Sequence, residues 1–468
     1  MAAPRASAPQ PEPSAGEPGV QTAGRPPFVP TDPELGWLFA LNRFGMQPGL
    51  ARIAALLAEL GHPERGLRTI VVAGTNGKGS ATRLLAALLG AAGHRVACYT
   101  SPHLLRVYER LELDGEPCDP ARFAAAAARL RPAIERHGAS WFEALTVIAL
   151  DLCRDAGSEL LCCEAGLGGR LDASNALPAV ATLLTSVAMD HEQLLGDTLA
   201  RIADEKLGLL KPGAPLFCAV PEKLRAQVFA AGVAAGSPVH FLDEQAVIVP
   251  RDAAGRWDLV TRRGVTADLP PLAAPWLRRN AALALLCVEE LVARGLARAP
   301  ADPAAALAGA FLPGRHQHIL TAPDWIVDTA HNGEAVRAAL DTFLARPVAG
   351  RRLVLFGSMR EKSLDDGVGE RLRRCDHVVA APVALPRTRT EAELAELLRG
   401  WGFAEPDVAP DLGAALARLG RFTAATDAVL VTGSCFTVAE VLWRLGYDDL
   451  RATRLPRPAR ELPVRAVG

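Results

Sequence analysis

The sequence lacks an excess of charge of either sign and any long uncharged apolar run. Its 468 residues include 51 lysines and arginines and 52 aspartates and glutamates, for a formal net charge of -1. This balance, without a basic block, argues against a nucleic-acid surface as the main partner. No segment is long enough to cross a bilayer, and the first thirty residues lack the apolar middle of a signal peptide. We therefore expect a cytoplasmic protein with no nucleic-acid or membrane partner.

Cysteine pairs with metal-binding spacing are also missing. None of the nine cysteines forms a CxxC pair, and Cys162 and Cys163 are adjacent within an apolar run. This pattern favours small buried hydrophobes in a reducing compartment over a disulfide framework or a zinc site.

Apolar residues, by contrast, make up half of the chain. At roughly 150 residues per domain, the length predicts two or three domains. Short apolar runs alternate with Ala/Leu-rich helical segments, which is typical of an α/β fold with a parallel sheet covered by helices on both faces. The first series of predicted strands comprises residues 68–73, 95–100, 160–163 and 180–188. Polar-apolar alternation at 239–267 predicts a small antiparallel appendage.

A second series of strands follows Pro313-Gly314-Arg315 and predicts a smaller, Rossmann-like α/β domain. We place the boundary near residue 316. The predicted parts are a disordered tail (1–30), a larger α/β domain (31–315), a smaller one (316–452) and a loose tail (453–468).

A glycine-rich loop follows the first predicted strand and leads into a helix. It runs Gly74-Thr75-Asn76-Gly77-Lys78-Gly79-Ser80. Glycines let successive backbone N–H groups cradle phosphate oxygens, and the helix start adds its positive dipole end. Lys78 can neutralise phosphate charge, and the Ser80 hydroxyl can reach a magnesium ion. The spacing departs from the Walker pattern, but the strand–loop–helix setting favours a phosphate site over a plain turn.

Polar residues also follow the other strands of this series. Ser101 comes after the second strand, Glu164 leaves the third and His191 follows the fourth. Taken singly, they also fit a turn serine, a salt-bridged carboxylate and a satisfied loop histidine. Parallel strands point their carboxyl ends to one side, so we expect all three beside the phosphate loop. A carboxylate there suits Mg²⁺, which shares oxygen ligands with substrate phosphates.

One lysine falls on an apolar helix face. Helical spacing from the predicted cap Thr198 places Lys206 on the same stripe as Ile202 and Leu209. Desolvation lowers the pKa of a lysine, and a neutral amine can act as a base or take up CO₂ as a carbamate. A carbamate would be an anionic oxygen ligand for a second Mg²⁺. Periodicity alone favours the alternative, a lysine that snorkels over apolar surface.

Polar residues gather at strand ends of the second series as well. Asp328-Thr329-Ala330-His331-Asn332 follows one strand, and segments 357–362 and 433–436 follow two others. Arg315 lies in the linker. We expect this domain to close over the first.

Together these segments resemble folylpolyglutamate synthase and its bifunctional relative dihydrofolate synthase, within the Mur ligase superfamily. The similar segments, in family order, are RFGMQPGLARI (43–53), VVAGTNGKGSATRLL (71–85), YTSPHLLRVYERL (99–111), EAGLGGRLDASN (164–175), TSVAMDHEQLLGDTLARIADEKLGLLKPG (185–213), LPGRHQHI (312–319), DTAHN (328–332), FGSMREK (356–362) and VTGSCFTVAEV (431–441). One departure is Trp276-Leu277, where many members carry a His-Gln pair.

The resemblance implies a role for each candidate residue. The ATP phosphates would be bound by Thr75, Asn76, Gly77, Lys78, Gly79 and Ser80, with Asn280 and Arg315 also contacting the nucleotide. Magnesium would be held by Ser101, Glu164 and His191, and Lys206 would be carboxylated and help to hold a second ion. The catalytic residues would be Lys206, His331, Asp328 and Lys78, with Asp328 and His331 reaching ATP or glutamate. The folate is expected at Ser140, Phe142, Leu171, Asp172 and Ala173.

The implied reaction is ATP-dependent ligation of L-glutamate to a folate through an acyl phosphate, in a Mur-ligase-like P-loop domain that works with the second domain of the same monomer. The sequence leaves open whether dihydropteroate is also accepted. Two rivals remain. A cell-wall Mur ligase predicts a further N-terminal domain, and a P-loop switch without ligase chemistry needs neither the second domain nor a lysine on the apolar helix face.

Overall fold

The computed structural model describes residues 33–41 and 49–458. The predicted tail at 1–30 lies outside the described residues, as does the beginning of the segment 43–53. Of the predicted C-terminal tail, Arg457–Pro458 form a short strand, and residues 459–468 lie outside the described part.

The described chain alternates helices and strands along most of its length. The strands are β1 (Arg68–Ala73), β2 (Val96–Tyr99), β3 (Leu111–Leu113), β4 (Glu116–Pro117), β5 (Leu160–Glu164), β6 (Ala179–Leu184), β7 (Leu216–Cys218), β8 (Val239–Phe241), β9 (Ala246–Pro250), β10 (Trp257–Thr261), β11 (Gly264–Leu269), β12 (Gln317–Thr321), β13 (Asp324–Val327), β14 (Arg352–Phe356), β15 (His377–Ala380), β16 (Asp407–Val408), β17 (Ala428–Thr432) and β18 (Arg457–Pro458). The α-helices are α1 (Gly36–Ala40), α2 (Ala51–Glu59), α3 (Lys78–Ala91), α4 (Pro120–Arg136), α5 (Trp141–Ala156), α6 (Glu192–Leu195), α7 (Leu199–Leu207), α8 (Arg225–Ala235), α9 (Leu242–Gln245), α10 (Pro275–Ala293), α11 (Pro303–Gly309), α12 (Gly333–Ala345), α13 (Asp366–Leu372), α14 (Glu391–Gly400), α15 (Leu412–Phe422) and α16 (Cys435–Arg444).

The first domain is built on an eight-stranded sheet in the order β4-β3-β2-β5-β1-β6-β7-β8. The run from β2 to β8 is parallel, and only β3 and β4 pair antiparallel. Strands β9 to β11 form the predicted antiparallel appendage. Assigning residues 239–241 to that appendage was wrong, because β8 is the last parallel strand of the large sheet. Its three residues, with His240 in the middle, are too short to show a buried apolar run.

Alternate side chains of the central strand enter two different cores. Ile70 and Val72 pack in the core that also contains residues of α3 and α10. Val71 and Ala73 pack in the opposite core, with residues of α7 and α8. A strand that is buried on both faces has no polar positions to alternate with, so the run Arg68–Ala73 was visible in the sequence. Packing on both faces therefore holds β1 in place, and with it the start of the loop that follows this strand.

The second domain is a seven-stranded sheet in the order β16-β15-β14-β17-β13-β12-β18. Five strands are parallel, and β12 pairs antiparallel with β13. Ile326 and Val327 of β13 face separate cores, so helices cover this sheet on both sides too. Within residues 33–41 and 49–458, no helix has the length and apolar character needed to span a bilayer.

Candidate active site

A cleft of about 650 Å³ lies between the two domains, at the carboxyl ends of the central strands. The first domain lines it with Gly74, Thr75, Asn76, Gly77, Lys78, Ser101, Glu164, His191, Lys206 and Asn280, and the second lines it with Asp328, His331 and Glu334, with Arg315 between them. The strand ends therefore converge on one crevice, as we expected from the sequence. Within the described chain, all four strand-end groups predicted from the first domain reach this cleft.

The glycine-rich loop forms one wall and has no room for side chains at two of its glycines. Gly74 has φ +150°, and a Cβ there would lie 2.0 Å from Thr185 Oγ1. Gly77 caps α3 at φ +86°, and its Cβ would lie 2.7 Å from Asn280 Nδ2. The first N–H groups of α3 have no partner within the helix, so they are free to bind an anion in the cleft.

Lys78 lies over this loop. Its Nζ donates to the carbonyl oxygens of Gly74 and Thr75, at 3.1 Å each. Burial lowers the pKa of Lys78, and the carboxylates of Glu164 and Asp190 oppose that effect. An ammonium that is held only by two carbonyl oxygens can exchange them for phosphate oxygens at little cost.

Two oxygen donors lie beside the loop. Glu164 ends β5, is buried, and accepts the backbone N–H of Ser101 at 2.7 Å. Burial raises the pKa of Glu164, while the charge of Lys78 acts in the opposite direction. The hydroxyl of Ser80 is fully buried and has no hydrogen-bond partner among the described residues.

These groups fit a magnesium ion in their chemistry. Among the residues that the structure describes, no group of three His, Cys, Asp or Glu side chains is arranged as a metal site. Mg²⁺, however, is usually held by one or two protein oxygens together with substrate phosphates and water. The unpartnered Ser80 hydroxyl and the Glu164 carboxylate, next to a loop that is expected to bind phosphate, supply oxygen ligands of this kind.

The lysine predicted on the apolar face of α7 is buried. Thr198 caps this helix as expected, since its side chain accepts the N–H of Arg201 at 3.2 Å. Lys206 is 4% exposed, and its Nζ donates to the carbonyl oxygen of Gly74 at 3.0 Å. Burial lowers the pKa of Lys206 to about 7, and the charge of Lys78 adds to the effect. The amine therefore reaches the cleft and is partly neutral near pH 7, unlike a lysine that snorkels to solvent.

The domain interface is organised around Asp190, which sequence reasoning did not assign. Its carboxylate accepts from Lys362 Nζ at 2.7 Å and from Asn332 Nδ2 at 3.2 Å, and lies 3.6 Å from His331 Nε2. Burial alone would raise the pKa of Asp190, but its contacts with His331 and Lys362 hold that pKa well below its usual range. Lys362 also donates to His191 Nε2 at 3.1 Å, and burial together with that ammonium lowers the pKa of His191 to about 4.

The same interface reaches the phosphate loop through Asn76. Its Nδ2 donates to Glu334 Oε2 at 2.7 Å, and Asn332 Nδ2 donates back to Asn76 Oδ1 at 2.9 Å. Asn332 also caps α12, because its Oδ1 accepts the N–H of Ala335. A change in the conformation of this loop would therefore disturb its contacts with Asn332 and Glu334 of the second domain.

Asp328 and His331 follow β13 and line the cleft. Asp328 is buried and accepts the N–H groups of His316 and Ala330, at 2.9 Å each. Burial raises the pKa of Asp328 to about 6, with Arg315 opposing the shift. The Nδ1–H of His331 donates to the carbonyl of Thr329 at 3.1 Å, which fixes Nε2 toward Asp190.

The five residues expected to contact the folate lie outside this cleft's lining. Ser140 caps α5, and Phe142 packs under Gly166, whose Cβ would lie 2.6 Å from the Phe142 ring. Asp172 binds its own loop through the N–H groups of Leu167 and Ser174. Ala173 is buried, and Leu171 is about half exposed at 48%. Their substrate role stays a prediction.

The missed residues carried a weak signal in the sequence. Asp190 directly precedes His191, and Lys362 follows the predicted strand at 353–356, so both were at strand ends. The sequence does not show that Asp190 and Lys362, 172 positions apart, are in contact.

Two α/β domains that share a cleft at a glycine-rich loop are typical of enzymes that use a nucleotide. Residues 314–435 match the family described as "Mur ligase, glutamate ligase domain". The dihydrofolate synthase/folylpolyglutamate synthase of Bacillus subtilis is 30% identical over 87% of this chain and 97% of its own length. That of Escherichia coli is 32% identical over 87% of this chain and 94% of its own.

Solved structures agree with this relationship. E. coli FolC in complex with ADP superposes with a TM-score of 0.79 at 31% identity, covering 88% of this chain and 97% of that one. Mycobacterium tuberculosis folylpolyglutamate synthase complexed with ADP gives 0.81 at 28% identity, covering 89% and 99%. The chain belongs to the dihydrofolate synthase/folylpolyglutamate synthase family.

Proposed function

We propose that the chain uses ATP to join L-glutamate to the carboxylate of a folate. Its relatives are named dihydrofolate synthase as well as folylpolyglutamate synthase, so we propose dihydropteroate as a second acceptor. The observation that carries this is the shared cleft. The phosphate loop, Glu164 and Lys206 face Asp328 and His331 of the second domain across one cavity. Such a cavity can hold a nucleotide, an acid and an amine together.

The reaction has two steps. A carboxylate oxygen of the folate attacks the γ-phosphorus of ATP, giving an acyl phosphate and ADP. The amine of glutamate then attacks the acyl carbon, loses a proton, and inorganic phosphate leaves. Both steps bring anions together, so the Lys78 ammonium and the N–H groups at the start of α3 would neutralise the transferring phosphate.

Ser101, Glu164 and His191, with the Ser80 hydroxyl, would hold Mg²⁺. When bound, this ion polarises phosphoryl oxygens and offsets their developing charge. The contact between His191 and Lys362 at 3.1 Å must open for the histidine to serve as a ligand. We further propose that Lys206 adds CO₂ to its neutral amine and, as a carbamate, holds a second ion.

The second domain would bring in glutamate and exclude water. An acyl phosphate hydrolyses if water reaches it, so closure protects the intermediate. Asp328 and His331 lie on the second domain's side of the cleft, where the incoming amine or the ATP phosphates would meet them. Asn280 and Arg315 would contact the nucleotide. One chain supplies both sides, so we expect an active monomer, and we expect it in the cytoplasm.

The test is ADP release by the purified chain with ATP, Mg²⁺ and L-glutamate. Dihydropteroate and tetrahydrofolate are supplied separately as the acceptor. Glutamate-dependent release with both acceptors supports a bifunctional enzyme, and release with tetrahydrofolate alone supports a chain-extending synthase. Release that is independent of glutamate with either acceptor, or no release at all, contradicts the proposal. Lys78→Met is the matched inactive variant, because it removes the ammonium and keeps a side chain of similar length.

A further inference from the structure

The segment 99–111 holds a buried carboxylate that the proposed chemistry does not use. Of this segment, only Ser101 has a part in the reaction. Glu109 lies in the short 3₁₀ helix Val107–Arg110 and is 3% exposed. A carboxylate at this depth is costly unless hydrogen bonds stabilise it, so its partners show what it does in the fold.

The Glu109 carboxylate closes a turn by accepting three successive backbone N–H groups. The N–H groups of Leu104 and Leu105 donate to Oε2 at 3.0 and 3.1 Å, and the N–H of Arg106 donates to Oε1 at 2.8 Å. Both oxygens are therefore engaged by the main chain. A side-chain amide cannot replace this arrangement, because it has one acceptor oxygen where the carboxylate has two.

This turn carries two leucines of the first domain into the second. Leu104 and Leu105 are 6% and 3% exposed and belong to the hydrophobic core that contains Ile319 and Trp325. The turn also touches the linker, since a Cβ on Gly314 would lie 3.3 Å from Leu104 Cδ1. The position of the second domain therefore depends on the conformation of residues 104–106.

The other side of the turn reaches the candidate metal site. Ser101 is separated from the turn by two residues, and its N–H donates to Glu164 Oε2 at 2.7 Å. Glu109 and these two residues line one small cavity of about 40 Å³, together with Ser80 and Arg315. A shift of the turn would therefore move Ser101 relative to Glu164.

We propose that Glu109 is a positioning residue for the ligation. Its carboxylate fixes the turn at 104–106, which holds Ser101 beside Glu164 on one side and the second domain on the other. Metal ligands keep their geometry only when the residues around them are held in place. This role rests on the proposed function insofar as Ser101 and Glu164 hold the metal ion of a ligase.

Two substitutions at this position test the role. Glu109→Gln keeps the size of the side chain but turns an NH₂ donor toward an N–H donor of the turn. Loss of a hydrogen bond to a charged group corresponds to a roughly 10- to 150-fold change in an equilibrium constant, so we expect Mn²⁺ affinity to fall at least about tenfold. Glu109→Asp keeps both oxygens and withdraws them by one methylene, so we expect a smaller loss in the same direction.

Asp427→Asn is the matched control. Asp427 is also 3% exposed, and its carboxylate accepts the backbone N–H groups of Arg351 and Ala424 at 2.8 Å each and pairs with the Arg351 side chain. It precedes β17, at the end of that strand remote from the cleft. A general loss of stability would appear in this variant too, whereas a change at the metal site should appear only in the Glu109 variants.

Three measurements on the full chain separate positioning from a purely structural role. Hydrogen exchange with mass spectrometry reports the N–H groups of residues 104–106. Electron paramagnetic resonance measures Mn²⁺ binding in the presence of a non-hydrolysable ATP analogue and no acceptor. Steady-state kinetics at saturating Mg²⁺ give kcat and the KM for ATP.

We expect Glu109→Gln to show faster exchange at 104–106, weaker Mn²⁺ binding and a lower kcat, with the KM for ATP within about twofold of wild type. Asp427→Asn should match wild type in all three measurements. Faster exchange with wild-type Mn²⁺ affinity and kcat would make Glu109 purely structural and would overturn the proposal. Unchanged exchange at 104–106 would overturn it as well. If Glu109→Gln does not fold, Glu109→Asp decides by the same criteria.

The outcome is separable from the proposed function, because exchange and Mn²⁺ binding need no acceptor. If Glu109→Gln weakens Mn²⁺ binding but no acceptor supports glutamate-dependent turnover of wild type, the positioning role stands and the ligase proposal fails. If wild type turns over and Glu109→Gln changes neither Mn²⁺ affinity nor kcat, the ligase proposal stands and the positioning role fails.

Discussion

Replacing Lys362 by methionine tests whether the contact with Asp190 holds the two domains together during turnover. The two side chains are 9% and 8% exposed and come from different domains. Breaking a buried ion pair by removing one partner costs about 3–5 kcal/mol. Here Asp190 keeps Asn332 and His331 as partners, so we expect the lower value of a hydrogen bond to a charged group, about 2 kcal/mol.

This loss should appear in domain closure and not in folding. Lys362 lies outside the domain that contains Asp190, so each sheet keeps its own core. A cost of about 2 kcal/mol lowers the ratio of closed to open molecules roughly 30-fold, and kcat should fall by up to that factor if only the closed form reacts. Glutamate-dependent ADP release measures kcat, and X-ray scattering with a non-hydrolysable ATP analogue measures closure.

Two controls make the prediction decisive. Arg360→Met removes a neighbouring cation whose exposed pairing with Glu393 stays within the second domain, so kcat should change by less than a factor of about three. In the double variant with Asp190→Asn, the loss should be smaller than the sum of the two single losses, because both remove the same contact. Wild-type kcat in Lys362→Met, or additive losses, would show that the contact does not govern closure.

Three further outcomes are expected. Carbamate formation needs the neutral amine of Lys206, whose pKa is lowered to about 7, so activity should fall as the pH drops below 7. Activity should also fall in CO₂-free buffer, and added bicarbonate should restore it. Full activity without CO₂ would rule the carbamate out. Gly77→Ala carries both the left-handed backbone cost of about 1 kcal/mol and a clash with Asn280. Gly115→Ala, at φ +83° with nothing within 4 Å, carries the backbone cost alone. Thermal melting should therefore show a larger loss of stability for Gly77→Ala, and only this variant should bind ATP more weakly. Ser80→Ala deletes a buried hydroxyl that makes no hydrogen bond, so its unfolding free energy should stay within about 0.5 kcal/mol of wild type while the Mg²⁺ concentration needed for half-maximal turnover rises severalfold; an unchanged Mg²⁺ requirement would remove Ser80 from the metal site.

The parts of the fold that were predictable are those specified by nearby residues. Strand β1 was expected at the bounds it has, and Thr198 was expected to cap α7, because burial on both faces and capping chemistry both leave short-range patterns. The end of β6 was less visible. The strand was predicted to continue to Ala188, but it stops at Leu184, where Thr185 donates to the carbonyl of Asn76 at 2.7 Å.

Lys206 shows where pattern reasoning reaches its limit. Periodicity placed it correctly on the buried stripe of α7 but could not distinguish a lysine that snorkels from one that turns inward. The distinction depends on the carbonyl of Gly74, 132 residues away, which accepts from Lys206 as well as from Lys78. A sequence gives the position of the amine on its helix and not the partner that it meets.

The contacts between the two domains are the extreme case of this dependence. Asn76 belongs to the glycine-rich loop, yet its side chain bonds to Asn332 and Glu334 of the second domain. If the loop binds phosphate as proposed, binding should disturb Asn332, which also caps α12. Since each contact is made by two residues more than 250 positions apart, neither domain alone carries its signal. The strand–loop–helix form was predictable because a single turn and a helix start create it, whereas the contacts of Asn76 with Asn332 and Glu334 depend on the packing of two distant segments.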